Sequence, residues 1–261
     1  MKRLMKKRVC ACLASAMLIF IGTGSSTLAF SSATHVYTTQ RGITIVDATL
    51  GGEISKFYTE EDRAQIMTYC TRPDEDEIDG AFKYHFYNPA TEKNFMGEDD
   101  SALERCKNHY NNAVTQYKAG DKKAAFEALG RALHYVEDLN TPVHTNNQDV
   151  LDSAFNLPFH VSFEDRCQEI QSTVTTSLLK SEFRYYKLNT IENIAKSCAY
   201  LANDNFYALY KEFLPKDVVA ANAIKNAQKT VAGLLYKFYL DVVPVNTRMD
   251  WFWPFTKLLG K

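Results

Sequence analysis

Apolar residues recur at intervals of three and four along most of the chain beyond residue 30, whereas the alternation typical of strands is nearly absent. The first pattern is that of amphipathic helices, each with one apolar face. It predicts seven long helices, at residues 36–50, 59–69, 101–119, 122–139, 160–179, 190–213 and 218–243. Residues 71–100 and 141–158 are predicted loops. We therefore expect an all-α protein, a single-domain bundle of several helices.

The helix predicted at residues 122–139 carries two stripes that avoid solvent. One stripe is wholly apolar and consists of Ala125, Leu129, Ala132, Val136 and Leu139. The other lies on a different side and consists of Phe126, Gly130, His134 and Asp138. A glycine inside a helix costs about 1 kcal/mol relative to alanine, which the close approach of a neighbour or ligand would explain. We expect this helix in the middle of the bundle, with its polar pair facing an internal site.

The first 29 residues have the order of a secretory signal peptide. Five basic residues precede residue 9, an apolar run occupies residues 9–22, and small residues lead to Ala29. That run is too short to span a bilayer as a helix. We expect cleavage after Ala29, which leaves residues 30–261 as a secreted chain with Phe30 at its N-terminus.

Charge and cysteine content after removal of the signal narrow the class of protein. The formal net charge of the whole chain is −1, and loss of five basic residues makes the remainder clearly acidic. This argues against broad nucleic-acid binding, which depends on basic side chains that neutralise phosphates. Four cysteines remain, Cys70, Cys106, Cys167 and Cys198. In a secreted chain they permit two disulfides in three pairings, and buried thiols are the alternative.

Histidine and carboxylate pairs indicate a metal site. His134 and Asp138 are four residues apart, as are His160 and Glu164, so on a helix each pair lies on one face. His144 comes between the pairs, just beyond a proline. Because proline disfavours helix in the residue before it, the chain can turn there and bring His144 back towards the first pair. Five nitrogen and oxygen ligands without a thiolate are typical of catalytic zinc.

Other candidates are weaker on spacing alone. Asp74 begins an acidic run that also fits a solvated loop or a calcium site, although it lacks the glycine and spacing of an EF-hand loop. His85 lies in an aromatic segment, and His35 lies close to the expected N-terminus. His109 lies among polar residues of a predicted helix, and we expect it at the surface.

Five segments follow one another in a defined order. They are Thr-His-Val-Tyr at 34–37, Pro-Asp at 73–74, His-Phe-Tyr-Asn-Pro at 85–89, His-Tyr-x-x-Asp-x-Asn-x-Pro-x-His at 134–144, and His-x-x-x-Glu at 160–164. In this order they resemble the bacterial zinc-dependent phospholipase C family, which is related to the catalytic half of clostridial alpha-toxin. The resemblance covers essentially all of residues 30–261. It implies an all-helical catalytic domain with three zinc ions in a cleft.

The resemblance also implies which residues hold each ion. The first zinc would be held by Asp74, His85, His134 and Asp138. The second would be held by His144, His160 and Glu164. The third would be held by His35, by Asp138 as a bridge, and by the amino and carbonyl groups of Phe30.

The activity implied by the resemblance is hydrolysis of phospholipids of the phosphatidylcholine type to diacylglycerol and a phosphorylated head group. Asp74 is the candidate for orienting or deprotonating the attacking water. Phe82 matches an aromatic residue of the family's head-group pocket, and Asn147, which follows the metal motif, is the second candidate for substrate binding. The expected partner is phospholipid at a membrane or micelle surface, without nucleic acid and with the protein as a monomer.

Departures from the family pattern keep alternatives open. Phe30 stands where the family usually has tryptophan, Glu137 where it commonly has a small residue, and Glu75 where some phosphatidylcholine-preferring members have tyrosine. Fungal and plant zinc nucleases that cut single strands share the fold and ligands, and the short interval from Phe30 to His35 resembles theirs. A non-catalytic secreted zinc-binding protein is the third possibility.

Overall fold

Helices account for nearly all regular structure in the computed structural model, which describes residues 30–78, 82–146 and 157–245. Over these ranges the α-helices are α1 (Ser32–Thr49), α2 (Gly52–Phe57), α3 (Glu60–Tyr69), α4 (Pro73–Asp76), α5 (Ala102–Lys118), α6 (Lys122–Asp138), α7 (Leu157–Ile170), α8 (Phe183–Leu188), α9 (Ile191–Tyr210) and α10 (Lys216–Val242). Single 3₁₀ turns occupy Lys83–His85, Pro142–His144 and Gln171–Thr173. No strand forms within these ranges, where an isolated bridge joins Asn88 and Lys93. The predicted all-α class is confirmed.

Several helices begin at a residue whose side chain satisfies a free backbone amide. Asp121 accepts a hydrogen bond from the Ala124 amide at the start of α6, at 3.0 Å. Thr59 and Asp62 form a reciprocal capping box at the start of α3. Such caps satisfy amides that have no partner inside the helix and each stabilises it by about 1 kcal/mol. Residues close in sequence therefore determine where α6 begins.

The predicted helix at 160–179 differs most from the structure. Helix α7 ends at Ile170, and the chain continues through a single 3₁₀ turn into a loop. Residues 172–177 are rich in serine and threonine, whose hydroxyls compete for backbone hydrogen bonds. The short helices α2, α4 and α8 were not predicted. They have too few turns to show a periodic pattern and depend on tertiary contacts.

The predicted central position of α6 is confirmed. Both of its predicted stripes are buried, including His134 and Asp138. A Cβ atom at Gly130 would lie 2.7 Å from the Ile66 carbonyl oxygen and 2.8 Å from the Tyr69 Cβ. The glycine therefore permits α3 to approach α6 at a distance that any side chain would prevent. This approach brings the end of α3 next to His134.

Two clusters of buried apolar side chains hold the helices together. The larger cluster surrounds α6 and α10 and includes Phe126 and Phe238. The smaller one packs under α7 and includes Phe30, Val143 and Phe163. Each cluster supports one side of the predicted metal site, since α6 carries one histidine–carboxylate pair and α7 carries the other.

The described part of the chain shows neither disulfides nor a membrane-spanning helix. Its four cysteines are free, and Cys70, Cys106 and Cys167 are buried. Of the two alternatives for these residues, the structure has thiols. Among the helices described, none combines the length and apolar character needed to cross a membrane.

Candidate metal centre

The last turn of α6 presents His134 and Asp138, which are both fully buried. His134 Nε2 lies 3.3 Å from Asp138 Oδ2, as expected for residues one turn apart on a helix. On the other side of the ring, Nδ1 lies 2.9 Å from the Cys70 carbonyl oxygen, at the end of α3. Because a carbonyl only accepts, Nδ1 carries a proton, and Nε2 is the ring nitrogen that faces the carboxylates.

The chain turns directly after α6, and the turn is fixed by side-chain hydrogen bonds. The Asn140 side-chain amide donates to the Val136 carbonyl at 2.7 Å, and the Thr141 hydroxyl donates to the Glu137 carbonyl at 3.0 Å. The first bond gives the Val136 carbonyl a side-chain donor at the end of the helix, and the second adds to the bond that the Glu137 carbonyl accepts from the Asn140 amide at 3.0 Å. The following 3₁₀ turn, Pro142–His144, brings His144 Nδ1 within 2.9 Å of the His85 carbonyl oxygen. The turn thus places His144 beside His85, whose own ring meets Asp138.

His144, His160 and Glu164 form one group of ligand atoms. Glu164 Oε1 lies 3.0 Å from His144 Nε2 and 2.9 Å from His160 Nε2. All three residues are buried, and their ligand atoms lie within 4.8 Å of one another. The Phe86 ring stacks on His144 with ring centroids 4.8 Å apart. This packing fixes the imidazole plane against the carboxylate.

A second group forms where the weakly spaced candidates meet α6. His85 Nδ1 lies 2.9 Å from Asp138 Oδ2 and 3.0 Å from His134 Nε2. Asp74 Oδ1 lies 3.6 Å from His134 Nε2 and 3.8 Å from His85 Nδ1. Asp74, His85, His134 and Asp138 are thus brought together from three separate parts of the chain.

His35 joins this second group from α1. Its ring stacks on that of His134, with centroids 4.0 Å apart, and its Nε2 lies 3.7 Å from Asp138 Oδ1. Ligand atoms of His35, Asp74 and His134 also lie within 4.8 Å of one another. Phe30 is fully buried, and its ring meets the His35 ring edge-on at 5.7 Å. The first described residue of the chain therefore lies against the centre.

Five buried polar atoms of the centre have no hydrogen-bond partner among the described residues. They are His35 Nε2, both carboxylate oxygens of Asp74, His85 Nε2 and Asp138 Oδ1. A buried polar atom without a partner costs about 1–3 kcal/mol, so five in one place need a compensating ligand. Imidazole nitrogens and carboxylate oxygens without thiolate fit catalytic zinc. The donor set therefore fits the metal that the sequence predicts.

The acids and histidines of the centre shift one another's pKa. Burial acts to lower the pKa of His134, but the carboxylates of Asp138 and Asp74 outweigh it and raise that pKa to about 10. Burial acts to raise the pKa of Asp138, but neighbouring imidazoles, His134 foremost, hold it well below its usual range. Burial raises the pKa of Glu164 to about 8. A cation bound here would have to displace protons from His134 and Glu164, because metal ligands are deprotonated.

Comparison with known families identifies the chain. The family described as zinc dependent phospholipase C matches residues 34–216, more than half of the chain. The chain belongs to the zinc-dependent phospholipase C family. Its residues 134–144, which the resemblance was based on, fall inside the matched range.

Relatives within this family are phospholipases C of several bacteria. One from Clostridium perfringens is 27% identical over 237 residues, covering 81% of this chain and 59% of the relative. One from Paraclostridium bifermentans is 26% identical over 246 residues, covering 83% of this chain and 61% of the relative. One from Bacillus cereus is 29% identical over 125 residues. The chain thus spans about three fifths of the length of the two clostridial relatives.

A solved structure supports the fold of this family member. The alpha-toxin from Clostridium absonum superposes with a TM-score of 0.72 at 24% identity, covering 87% of this chain and 67% of the toxin chain. At that level of identity the likeness shows the shared helical fold.

Of the two predicted substrate-binding residues, the structure describes Phe82 but not Asn147. Phe82 is partly buried, adopts a left-handed backbone conformation with φ of 62°, and places its ring 5.8 Å from that of His85. It therefore borders the centre. Asn147 lies outside the described residues, as do residues 1–29 with the predicted signal peptide.

The prediction that His109 lies at the surface holds in part. Its side chain is 20% exposed, its ring stacks on Tyr135 at 5.7 Å, and its Nε2 lies 3.0 Å from Glu77 Oε1. Glu77 also accepts hydrogen bonds from the Tyr135 hydroxyl at 2.8 Å, from Arg105 at 3.0 Å and from Arg131 at 2.7 Å. We call these five residues the Glu77 cluster. The hydrogen bonds of the Glu77 cluster connect the segment that carries Asp74 to α5 and α6.

Sequence reasoning did not find the Glu77 cluster because its members lie far apart in sequence. The acidic run at 74–77, a solvated loop in one interpretation, divides in the structure. Asp74 faces the centre, whereas Glu77, only 12% exposed in its side chain, faces Arg105 and Arg131. Glu137 was noted only as a departure from the family pattern. It is fully buried beside His35.

Proposed function

We propose that this protein is a secreted zinc phosphodiesterase that hydrolyses phospholipids of the phosphatidylcholine type to diacylglycerol and a phosphorylated head group. The observation that carries the proposal is the pair of adjoining ligand groups, with five buried atoms that lack a hydrogen-bond partner among the described residues. Membership of the zinc-dependent phospholipase C family supports the same activity. We propose residues 30–261 as the catalytic domain, acting as a monomer at a membrane or micelle surface.

We propose three zinc ions in this centre. The first would be held by Asp74, His85, His134 and Asp138. The second would be held by His144, His160 and Glu164. The third would be held by His35, by Asp138, and by the amino and carbonyl groups of Phe30. Distances of 2.9–3.7 Å between facing ligand atoms of Asp138 and its three histidines support a shared carboxylate.

The protein groups have separate tasks in the proposed hydrolysis. When bound, zinc supplies Lewis acidity, which acidifies water and neutralises charge on a phosphodiester. Asp74 has two buried carboxylate oxygens without a hydrogen-bond partner among the described residues, and we infer that it orients or deprotonates the attacking water. Hydrogen bonds from His134 Nδ1 and His144 Nδ1 to carbonyl oxygens hold these rings with Nε2 towards the carboxylates.

Substrate recognition would use the aromatic rim of the centre. The Phe82 ring lies beside His85, within reach of a head group that enters the centre. An aromatic face attracts a quaternary ammonium group by about 0.5–2 kcal/mol, which suits a choline head group. Asn147 is our second proposed contact, on the basis of the sequence alone.

Removal of residues 1–29 would complete the proposed site. Cleavage after Ala29 creates an α-amino group on Phe30, and an amine with a pKa near ~7.7–8.0 can lose its proton to become a metal ligand. The buried Phe30 ring beside His35 supports this placement, because it anchors the residue at the centre. The amine and carbonyl belong to the backbone, so the ligands do not depend on tryptophan at this position.

The activity is tested with purified secreted protein on two substrates in parallel. We expect release of phosphorylated head group from phosphatidylcholine micelles, loss of that release with a chelator, and no digestion of single-stranded DNA. Digestion of DNA without lipid hydrolysis would replace the proposal with a zinc nuclease. A zinc-loaded protein inactive on both substrates would instead indicate a zinc-binding protein without catalysis.

A further inference from the structure

Glu137 is a fully buried acid for which the proposed reaction has no use. It is the penultimate residue of α6 and directly precedes Asp138. Its Oε2 lies 2.5 Å from His35 Nδ1, and its Oε1 accepts a hydrogen bond from the Thr39 hydroxyl at 2.9 Å. Both oxygens are therefore occupied by residues of α1. This arrangement makes Glu137 a neighbour of a proposed ligand rather than a ligand itself.

Two consecutive carboxylates bracket the His35 ring. Successive helix residues point about 100° apart, so Glu137 and Asp138 reach different sides of the same imidazole. Glu137 meets the outer nitrogen, Nδ1, while Asp138 Oδ1 lies 3.7 Å from the inner nitrogen, Nε2. A neutral imidazole has one donor nitrogen and one acceptor nitrogen. A proton on Nδ1, shared with Glu137, leaves the lone pair of Nε2 directed at the centre.

The outer nitrogens of His134, His144 and His35 do not face the same kind of partner. His134 and His144 each donate to a backbone carbonyl oxygen at 2.9 Å. His35 faces a carboxylate. A carbonyl fixes the ring and its tautomer, whereas a carboxylate also adds negative charge behind the ring, which makes the inner nitrogen a stronger donor to a metal.

We propose that Glu137 is a positioning residue that selects the Nδ1-protonated form of His35 and strengthens Nε2 as the ligand of one zinc ion. This inference rests on the proposed function, because it requires zinc at His35. Thr39, one turn beyond His35 on α1, holds the second oxygen of Glu137 and fixes the carboxylate in the plane it needs. The assignment explains why α6 ends in two adjacent buried acids, one on each side of the ring.

The experiment measures zinc affinity of the purified wild-type protein, Glu137→Ala and Glu137→Gln, by competition with a chromophoric chelator. In Glu137→Ala we expect one zinc ion to bind about 10–100-fold more weakly, with the others unchanged. In Glu137→Gln we expect a smaller loss at the same ion, since an amide oxygen still accepts the Nδ1 proton but carries no charge. Glu127→Ala, a carboxylate on α6 paired with Gln65, is the matched control and should bind zinc as the wild type does.

A second measurement reports the tautomer directly and does not need the alanine variant to fold. In NMR spectra of the zinc-loaded wild type, we expect the His35 Nδ1 proton to be far downfield and protected from exchange. In Glu137→Gln it should move upfield while remaining on Nδ1. A His35 ring that carries its proton on Nε2 in the zinc-loaded wild type would overturn the proposal.

The remaining outcomes separate this inference from the proposed function. Equal zinc affinity in all variants overturns the role of Glu137 alone. Parallel weakening of every zinc ion also overturns it, because that pattern assigns Glu137 to the fold and not to His35. A wild-type protein that binds no zinc overturns the proposed function itself.

Discussion

Two polar clusters lie on either side of Tyr135, and they differ in whether their buried polar atoms have hydrogen-bond partners among the described residues. In the Glu77 cluster, the carboxylate meets two guanidinium groups, an imidazole and a hydroxyl at 2.7–3.0 Å. In the metal centre, carboxylates and imidazoles face one another with five atoms that lack a partner within the described residues. The first arrangement is complete by itself. The second requires a cation, and this difference separates a structural cluster from a functional one.

Tyr135 marks the boundary between the two clusters. Its hydroxyl donates to Glu77, and its ring lies 5.2 Å from that of His134 and 5.3 Å from that of His85. Neighbouring residues of one helix thus serve different clusters, since His134 and Tyr135 point about 100° apart. Substitutions on the two sides should therefore have effects of different kinds, on catalysis at the centre and on stability at the Glu77 cluster.

The largest expected effect comes from Asp138→Asn at the metal centre. We expect lipid hydrolysis to fall by about 1000-fold, or about 4 kcal/mol, because this carboxylate faces His35, His85 and His134 together. Zinc content should fall with it, while the far-ultraviolet circular dichroism stays helical. The control is Asp100→Asn, a half-exposed acid paired with Arg105, which should keep activity within about twofold. Equal losses in the two variants would show that the centre is wrongly located.

The next effect is expected from Glu77→Gln, and it should be on stability. Loss of the charge leaves two arginines facing a neutral amide, so we expect a loss of about 2 kcal/mol in the free energy of unfolding. This corresponds to about 4–8 °C in Tm, measured by thermal denaturation. Glu104→Gln, a partly exposed acid paired with Lys107, should change stability by less than about 1 kcal/mol. Loss of bound zinc from folded Glu77→Gln would contradict the separation of the two clusters.

The advantage of wild type over Glu77→Gln should also depend on pH. Burial acts to raise the pKa of Glu77, but the hydrogen bond and charge of His109, with Tyr135 and Arg131, outweigh it and hold that pKa well below 4.5. A lowered pKa in the folded state contributes stability above the unfolded-state pKa, and this is lost as the pH falls towards the folded-state value. Urea denaturation should therefore show a full difference above about pH 5 and a shrinking one below it. A difference independent of pH would mean that charge is not what Glu77 contributes.

The smallest effect is expected from His109→Ala. It removes one hydrogen bond to Glu77 and the stacking on Tyr135, which together contribute about 1 kcal/mol to the free energy of unfolding. Zinc content and the rate of lipid hydrolysis should stay within about twofold of wild type, because the ring contacts Tyr135 and none of the proposed ligands. A loss of zinc in this variant would place His109 in the metal centre.

Helical spacing predicted part of the centre and could not predict the rest. His134 with Asp138, and His160 with Glu164, are visible in the sequence because residues four apart share a helix face. His85 and His35 reach Asp138 from positions more than fifty and one hundred residues away, and local spacing carries no information on such contacts. Their place in the predicted site came from the family resemblance instead.

The same limit explains the gaps in the prediction. Glu77 lies three residues after Asp74 in a run of acids, and nothing local distinguishes the acid that meets arginines from the acid that faces the centre. His109 was expected at the surface because its neighbours in sequence are polar, yet its partners Glu77 and Tyr135 come from other elements. The positions of the long helices were predictable from the periodicity of apolar residues. Which residues of different helices contact one another depends on tertiary packing, which that periodicity does not show.

Zinc content of the active wild-type protein is the most direct test of the claim that the unpartnered cluster is the functional one. Secreted protein cleaved before Phe30 should contain about three zinc ions per chain, since the ligand groups around Asp138 and Glu164 suit metals of four or five ligands. A chelator should remove both zinc and lipid hydrolysis, and added zinc should restore both. Active protein with one zinc ion or none would contradict the account.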